Sequence, residues 1–135
     1  VDFRNHIVKS SSLSGRQREL IILRVAHNTA CAYEWDHHVV RGRDAGLQDH
    51  EIARVRHGGD AEGWTTEESL LLKAVDNMIA GTEIARPNWV AMCGVFVDNQ
   101  LLDIIFTIGT YMIMSTILKT AQVPHEDGFK VKNPV

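Results

Sequence analysis

The sequence has few cysteines and no excess of positive charge, and each shortage excludes a class of protein. Cys31 and Cys93 are its two cysteines. They are too few for a disulfide framework, so the sequence favours a reducing compartment and predicts a cytoplasmic protein. The formal net charge of -3 at pH 7 gives little electrostatic support for a nucleic-acid or anionic-membrane partner. We therefore expect a small-molecule substrate or a protein partner.

The length of 135 residues fits a single domain, 1–135, around one hydrophobic core. The charged stretch HEDGFKVKNPV contains Gly and Pro, so we expect residues 124–135 to form an arm or a disordered tail. The run LLDIIFTIGTYMIMSTIL, residues 101–118, is as long as a bilayer span. Asp103, Gly109 and its Thr and Ser residues favour instead a helix covered by a protein core or a subunit interface.

The sequence predicts an all-α protein, because no strand alternation competes with the helical patterns. Ser14 is a potential N-cap, Thr65 and Glu68 have capping-box spacing, and Pro87 suits a first helical turn. We expect the apolar helix at the C-terminal end to pack in a homo-oligomer interface. The predicted helices cover 14–30, 33–46, 46–59, 65–81, 86–99 and 98–121.

The stretch CAYEWDHH, residues 31–38, places a thiol, a carboxylate and two imidazoles close together. A dithiol site needs C-x-x-C, but position 34 is Glu. Cys31 alone remains a candidate thiolate nucleophile beside a helix start, and a buried inert thiol is the alternative. Glu34 and His37 have the spacing of di-iron helix bundles, but no second such pair occurs, so we expect no metal site.

Glu34 and His38 lie four residues apart, where two side chains meet on one face of a helix. A carboxylate beside an imidazole is the arrangement that general acid–base catalysis needs. Glu19, on the preceding helix, reaches this pair if the two helices pack antiparallel across a short turn at 28–32. The spacing leaves open the alternative of a solvent-facing Glu–His pair.

The segment GRQRELIILRVAHNTACAYEWDHHVVRGRDAGLQDHEI resembles the carboxymuconolactone decarboxylase/AhpD-like superfamily of alkylhydroperoxidase-type proteins. The likeness continues through Trp89 and NQLLDIIFTIGTYMIMSTIL to Val123, so it covers most of the chain. It implies an all-α fold of about six helices with a central helical hairpin. It also implies trimers or hexamers with the active site near a subunit interface. Family members usually have further helical sequence at the N-terminus, so we expect part of it to be missing before Ser14.

AhpD-type members have a glutamate, then a C-x-x-C, then a histidine four residues after the second cysteine. Glu19, Cys31 and His38 match the glutamate, the first cysteine and the histidine, but Glu34 replaces the second cysteine. Glu34 with His38 instead matches the E-x-x-x-H of the decarboxylase branch. The resemblance therefore implies an acid–base site without the disulfide cycle of AhpD-type peroxide reduction.

The activity that this resemblance implies is that of a cofactor-free lyase, a decarboxylase or a related double-bond isomerase. Loss of CO2 beside a lactone or keto group leaves an enolate, which an imidazolium at His38 protonates on carbon. Glu34 would set the tautomer and pKa of His38, and Glu19 would orient the pair. A substrate carboxylate would bind Arg41, three residues after His38, or else Arg16.

Further candidate residues surround this pair, and three alternative functions stay open. Arg24 is another candidate for the substrate carboxylate, and Tyr33 and Trp35 are expected to line an apolar pocket. A single-cysteine peroxidase or antioxidant protein would use Cys31 with an external thiol. A noncatalytic oligomeric binding protein would share the fold. Alkyl-halide hydrolysis, to which the resemblance extends weakly, lacks a suitably placed nucleophilic Asp.

Overall fold

The computed structural model describes residues 5–126, 129 and 131–135. Within these ranges the chain forms a short π-helical segment, His6–Ser10, then six α-helices and no strand. The all-α prediction is confirmed. The π-helical segment was not predicted. The helices are α1 Gly15–Asn28, α2 Ala32–Asp44, α3 Asp49–Val55, α4 Thr66–Gly81, α5 Arg86–Val95 and α6 Asp98–Thr120.

Helices α1 and α4 begin, and α2 ends, where the sequence places residues suited to capping. Ser14 and Gln17 exchange two hydrogen bonds of 3.0 and 3.1 Å at the start of α1, which is a capping box. Thr65 and Glu68 exchange the same two bonds, both of 3.1 Å, at the start of α4. Helix α2 ends before Gly46, whose φ of +95° is a left-handed conformation that favours glycine. These capping predictions are confirmed.

Helices α1 and α2 form the central helical hairpin. Their connection is short: Ala30 has a φ of +52°, and the Cys31 N–H donates to the Ala26 carbonyl oxygen at 2.9 Å. Because the chain reverses here, residues at similar distances from the turn come together on the two helices. Glu19 of α1 consequently meets His38 of α2.

Helix α1 lies at the centre of the molecule and contacts α2, α3, α4 and α6. Its apolar side chains belong to two hydrophobic clusters, one shared with α4, α5 and α6 and the other with α2 and α3. Burial of each aliphatic side chain contributes about 1.5–3 kcal/mol to the stability of the fold, so both clusters stabilise the hairpin. Its contributions are Ile21, Ile22 and Val25 to the first cluster and Leu20, Leu23, Ala26, Trp35 and Val39 to the second.

By length and composition, helix α6 could cross a membrane, with a mean hydropathy of 1.8 over a window that is 39% buried. One such helix is weak evidence, because the core helices of soluble proteins pass the same test. Its Asp103 carboxylate is buried and accepts hydrogen bonds from the Ser12 N–H at 2.8 Å and the Ser12 hydroxyl at 2.6 Å. It also lies 2.8 Å from His6 Nε2. Burial would raise the pKa of Asp103, but Ser12 and His6 keep it below its usual range.

The residues that follow α6 lie along α2 as an arm. The Phe129 ring stacks on His37 with centroids 4.0 Å apart and planes 3° apart. The Trp35 indole N–H donates to the Val135 carbonyl oxygen at 3.2 Å, and Arg43 donates to two main-chain carbonyls of the arm at 2.5 and 2.7 Å. Of the two expectations for this segment, the described residues fit the arm. Residues 127, 128 and 130 lie outside the described part.

Candidate acid–base site

The site is built around His38, whose imidazole lies between two carboxylates. Its Nδ1 atom is hydrogen-bonded to Glu19 Oε2 at 2.6 Å, and its Nε2 atom lies 3.1 Å from Glu34 Oε2. All three residues expose 6% of their surface or less. The expectation that Glu19 reaches the pair agrees with this geometry, and the solvent-facing alternative is wrong because the hairpin and α6 cover the imidazole.

The two carboxylates control the protonation of His38. Burial alone would lower the pKa of this histidine, because an imidazolium is poorly solvated in the interior. The hydrogen bond that the imidazolium donates to Glu19, the contact with Glu34 and the two negative charges outweigh burial and raise the pKa above its usual value. Near neutral pH, His38 therefore carries a proton to a greater extent than an ordinary histidine does.

Two cavities lie against this cluster, and Arg41 and Tyr111 line both. The first, of about 230 Å³, also contains Glu34 and His38 in its wall. The second, of about 370 Å³, contains Glu19. A small organic acid therefore has one place to bind beside the imidazole and a second beside the Glu19 carboxylate. The remaining lining residues are Tyr33, His37, Thr110, Met114 and Glu126 in the first cavity and Gly15, Arg18, Asp44 and Ala45 in the second.

The Oε2 atom of Glu34 is buried and makes no hydrogen bond within the described part of the chain. Its contact with His38 Nε2 is short enough for an ion pair but is not aligned as a hydrogen bond. A buried carboxylate oxygen without a donor costs free energy. Because Glu34 lines the 230 Å³ cavity, this oxygen can accept a proton or a hydrogen bond from a ligand that binds there.

Arg41 is the best placed of the three candidate arginines. It is exposed and lines both cavities, and its guanidinium makes no ion pair or hydrogen bond with the residues that the structure describes. By contrast, Arg16 lies 2.6 Å from Glu51. Arg24 lies 2.8 Å from Asp76. Both of these guanidinium groups are engaged within the fold, whereas that of Arg41 can bind a substrate anion.

Tyr111 of α6 was not predicted as a site residue. It is buried, and its ring meets the His38 ring edge-on, with centroids 5.3 Å apart and planes 84° apart. Burial, followed by the charges of Glu19 and Glu34, raises the pKa of its phenol, so the hydroxyl keeps its proton. The sequence carried only a weak signal for it, a tyrosine within an otherwise apolar helix, which packing explains equally well.

The two aromatic residues predicted to line the pocket lie on different sides of α2. Tyr33 lines the 230 Å³ cavity, and its ring stacks on His37 with centroids 4.2 Å apart. Its hydroxyl donates to the Glu126 carboxylate. Trp35 instead packs in the hydrophobic cluster that α1 shares with α2 and α3, with the Arg56 guanidinium 4.3 Å above its ring. The structure therefore brings Tyr33 to His38 and does not bring Trp35 there.

Cys31 is buried at the N-cap position of α2, away from His38. It lines a separate cavity of about 430 Å³ with His27, Trp35 and Arg56. Seven residues along one helix correspond to about 10 Å of axial distance, which accounts for the separation of the thiol from the imidazole. Within the described ranges, no group of three or more His, Cys, Asp or Glu side chains can hold a metal ion.

The sequence model of the carboxymuconolactone decarboxylase family matches residues 1–76, more than half of the chain, including the hairpin and its three charged site residues. The chain belongs to the carboxymuconolactone decarboxylase family. Among curated proteins, no sequence matches this family member. Tyr111 lies outside the matched region, so the family match includes Glu19, Glu34, His38 and Arg41 but not the residue that completes the site from α6.

Two solved structures resemble this carboxymuconolactone decarboxylase family member. One is a protein of unknown function from Agrobacterium tumefaciens, proposed to be the antioxidant defence protein AhpD. It is 26% identical with a TM-score of 0.85, over 92% of this chain and 86% of that one. The other, an uncharacterized peroxidase-related protein from Silicibacter sp. TM1040, is 16% identical with a TM-score of 0.83. That match covers 93% of this chain and 67% of that one, and at this identity it shows the fold alone.

Proposed function

We propose that this protein is a cofactor-free lyase that decarboxylates a small carbonyl-conjugated carboxylic acid or lactone by acid–base proton transfer. The observation that carries the proposal is the position of His38, buried between Glu19 at 2.6 Å and Glu34 at 3.1 Å beside a cavity. Membership of the carboxymuconolactone decarboxylase family supports this class of chemistry. Arg41, which lines the cavity and whose guanidinium has no partner among the described residues, supports an anionic substrate.

The chain's own residues supply each step of the proposed reaction. Arg41 binds a carboxylate of the substrate. The bond to the departing carboxylate breaks, CO2 leaves, and the electron pair moves into the conjugated carbonyl to give an enolate. His38 transfers its Nε2 proton to the carbon and becomes neutral, while Glu19 holds Nδ1 and Glu34 favours the protonated imidazole. Solvent then returns a proton to His38. A double-bond isomerisation would use the same groups.

We also propose that the protein is a cytoplasmic homo-oligomer, a trimer or a hexamer, with α6 in its interface. The number of subunits comes from the family resemblance. Leu102, Ile113 and Ile117 are 53%, 62% and 53% exposed and lie within about 60° of one another around the helix. An apolar stripe of this kind marks an interaction surface. Light scattering should give a multiple of the 15.1 kDa chain mass, and Ile113→Glu should lower it; a monomeric wild type would contradict the proposal.

The decarboxylase is tested with a panel of small aromatic-degradation lactones and keto acids. We expect CO2 release from at least one compound, and its loss when His38 is replaced by Gln. His57→Gln is the matched control, because His57 is an exposed histidine away from both cavities. Equal turnover by wild type and His38→Gln would contradict an acid–base role for His38.

The second candidate is an antioxidant protein that uses Cys31. Similarity to the Agrobacterium tumefaciens protein favours it, as does the position of the thiol in the wall of a cavity of about 430 Å³. Peroxide consumption with an external thiol tests this candidate. Peroxide consumption that is lost in Cys31→Ser and kept in His38→Gln would favour the antioxidant function over the decarboxylase. Absence of any turnover, with a small acid still bound, would favour a binding protein.

A further inference from the structure

Tyr111 reaches the candidate site from a different part of the chain than the acid–base cluster. It belongs to α6, whereas the three charged residues belong to the α1–α2 hairpin. Its ring stands at 84° to that of His38, with 5.3 Å between centroids, and it forms part of the wall of both cavities. A ligand that contacts His38 in the 230 Å³ cavity therefore also meets Tyr111 in the cavity wall.

The phenolic hydroxyl is the unusual part of this residue. Tyr111 is 6% exposed, and its hydroxyl is not one of the buried atoms that lack a partner, so it is accessible at the surface of the site. It makes no hydrogen bond with the residues that the structure describes. Tyr33, the other tyrosine of the chain, does have one, because it donates to Glu126. Because Tyr111 lines both cavities, this accessible hydroxyl is available to donate a hydrogen bond to a ligand.

We propose that the Tyr111 hydroxyl donates a hydrogen bond to the enolate oxygen that forms when the substrate loses CO2. This inference rests on the proposed function and assigns to Tyr111 the hydrogen bond to the carbonyl oxygen of that substrate. Tyr111 acts as a hydrogen-bond donor and keeps its proton throughout. The proton that reaches carbon comes from His38.

The electrostatics of the cluster suit a neutral donor at this position. Glu19 and Glu34 place negative charge beside the phenol, which disfavours a phenolate and keeps the hydroxyl protonated. Arg41, which shares both cavities with Tyr111, supplies the positive charge for a carboxylate. Arg41 can thus pair with the carboxylate that the substrate carries, and Tyr111 can donate to the oxygen that becomes negative during the reaction. Donors to such an oxygen typically change rates by about 100- to 1000-fold.

The test uses 4-hydroxy-3-nitrobenzoate, a probe that needs no turnover. Its carboxylate can bind Arg41, its phenolate oxygen imitates the enolate, and the visible absorbance of the nitrophenolate reports the ionisation of the bound molecule. We expect wild type to bind the phenolate form and to lower the pKa of the bound probe. Tyr111→Phe should weaken phenolate binding by about 10- to 100-fold, as expected for a lost hydrogen bond to a charged group, and should return the probe pKa towards its free value.

Two further variants make this test specific. Thr116→Val removes a hydroxyl of the same helix, one that donates to the Met112 carbonyl oxygen outside both cavities, and should leave the ionisation of the bound probe as in wild type. Replacement of Tyr111 by 3-fluorotyrosine keeps the ring but makes the phenol a stronger donor, so it should lower the probe pKa further. This substitution also provides a readout if Tyr111→Phe fails to fold.

The outcomes separate this inference from the proposed function. Equal probe ionisation in wild type, Tyr111→Phe and the fluorotyrosine protein would overturn the role of Tyr111, even if His38-dependent decarboxylation is found. Failure of wild type to bind the phenolate would overturn it as well. A probe pKa that changes with the Tyr111 variants supports the role of Tyr111 as a donor. If none of the tested acids releases CO2, that role still stands and only the reaction assigned to the site is contradicted.

Discussion

Two clusters in this molecule have the same composition, a cationic side chain between two glutamates. They differ in whether the cation can titrate and in the hydrogen bonds that their carboxylates accept. Arg16 lies 2.6 Å from Glu51 and 2.7 Å from Glu68. In the second cluster, His38 lies 2.6 Å and 3.1 Å from its two glutamates. The arginine cluster joins α1 to α3 and α4, whereas the histidine cluster joins the two helices of the hairpin.

The difference lies in what each cluster leaves unsatisfied. Arg16 donates three hydrogen bonds to its two glutamates, and an arginine does not lose its proton near neutral pH. The hydrogen bond from Arg16 lowers the pKa of Glu51 to about 2. In the histidine cluster the cation can titrate, and Glu34 Oε2 has no hydrogen-bond partner in the described part of the chain. The first cluster is therefore equipped to stabilise the fold, and the second is equipped to exchange a proton.

The largest expected effect comes from removing the titratable cation. His38→Gln should lower kcat/KM for the decarboxylated acid by about 100- to 10,000-fold, because a general acid contributes that much. The helical circular dichroism spectrum should remain that of wild type. Loss of folding in both His38→Gln and Glu34→Gln would instead make this cluster structural, like that of Arg16.

The second prediction concerns the arginine cluster. Arg16→Met should lower the free energy of unfolding by about 1–2 kcal/mol, because two glutamates lose their donor at a partly exposed site. Catalysis should be retained. In wild type, Glu51 has a folded pKa of about 2 against an ordinary value of 4.5, so its stabilisation is complete above pH 4.5 and is lost as the pH falls towards 2. Urea unfolding from pH 2 to 7 should show this acid dependence in wild type and a smaller one in Arg16→Met.

The third prediction follows from the raised pKa of His38. A group whose folded pKa is raised stabilises the fold fully below its unfolded value of 6.5 and loses that contribution as the pH rises through the folded value. Both stability and decarboxylation should therefore decline on the alkaline side. Glu19→Gln removes a negative charge and should move the decline in activity to lower pH. A pH–rate profile unchanged by Glu19→Gln would contradict the coupling.

The smallest effect is expected from the thiol. Cys31→Ser should reduce decarboxylation by less than about tenfold, because Cys31 lies two turns of helix from His38 and lines a different cavity. Steady-state kinetics of Cys31→Ser beside His38→Gln give the comparison. Complete inactivation of Cys31→Ser, with its oligomeric state preserved, would indicate that the thiol takes part in the reaction.

Local sequence patterns predicted most of the fold and, in the candidate site, the pairing of Glu34 with His38. Capping at Ser14 and Thr65 depends on neighbouring residues, so the sequence was sufficient to place the starts of α1 and α4. The four-residue spacing of Glu34 and His38 is likewise a property of one helix. Trp35 was expected in the pocket, but each residue turns the helix by about 100°, and this rotation carries its side chain into the hydrophobic cluster.

Long-range features could not be predicted. Tyr111 meets His38 across 73 positions of the sequence, and no spacing rule connects α6 to α2. The unpaired oxygen of Glu34 also depends on the full set of neighbours, because a missing hydrogen bond has no sequence pattern. The same is true of the arm along α2, whose Phe129 finds its partner in His37 only after the chain has folded back.

The bonds of Asp103 imply an order of assembly during folding. They join positions 91 and 97 residues apart, whereas Glu19 and His38 are separated by 19. Loop closure costs more entropy for distant residues, and local contacts form faster. We therefore expect the acid–base pair to be made early, within the nascent hairpin, and Tyr111 to arrive late, when α6 docks. Pulse-labelled hydrogen exchange should show earlier protection in α1 and α2 than in α6. The acid–base pair would then form before the cavity in which a substrate binds.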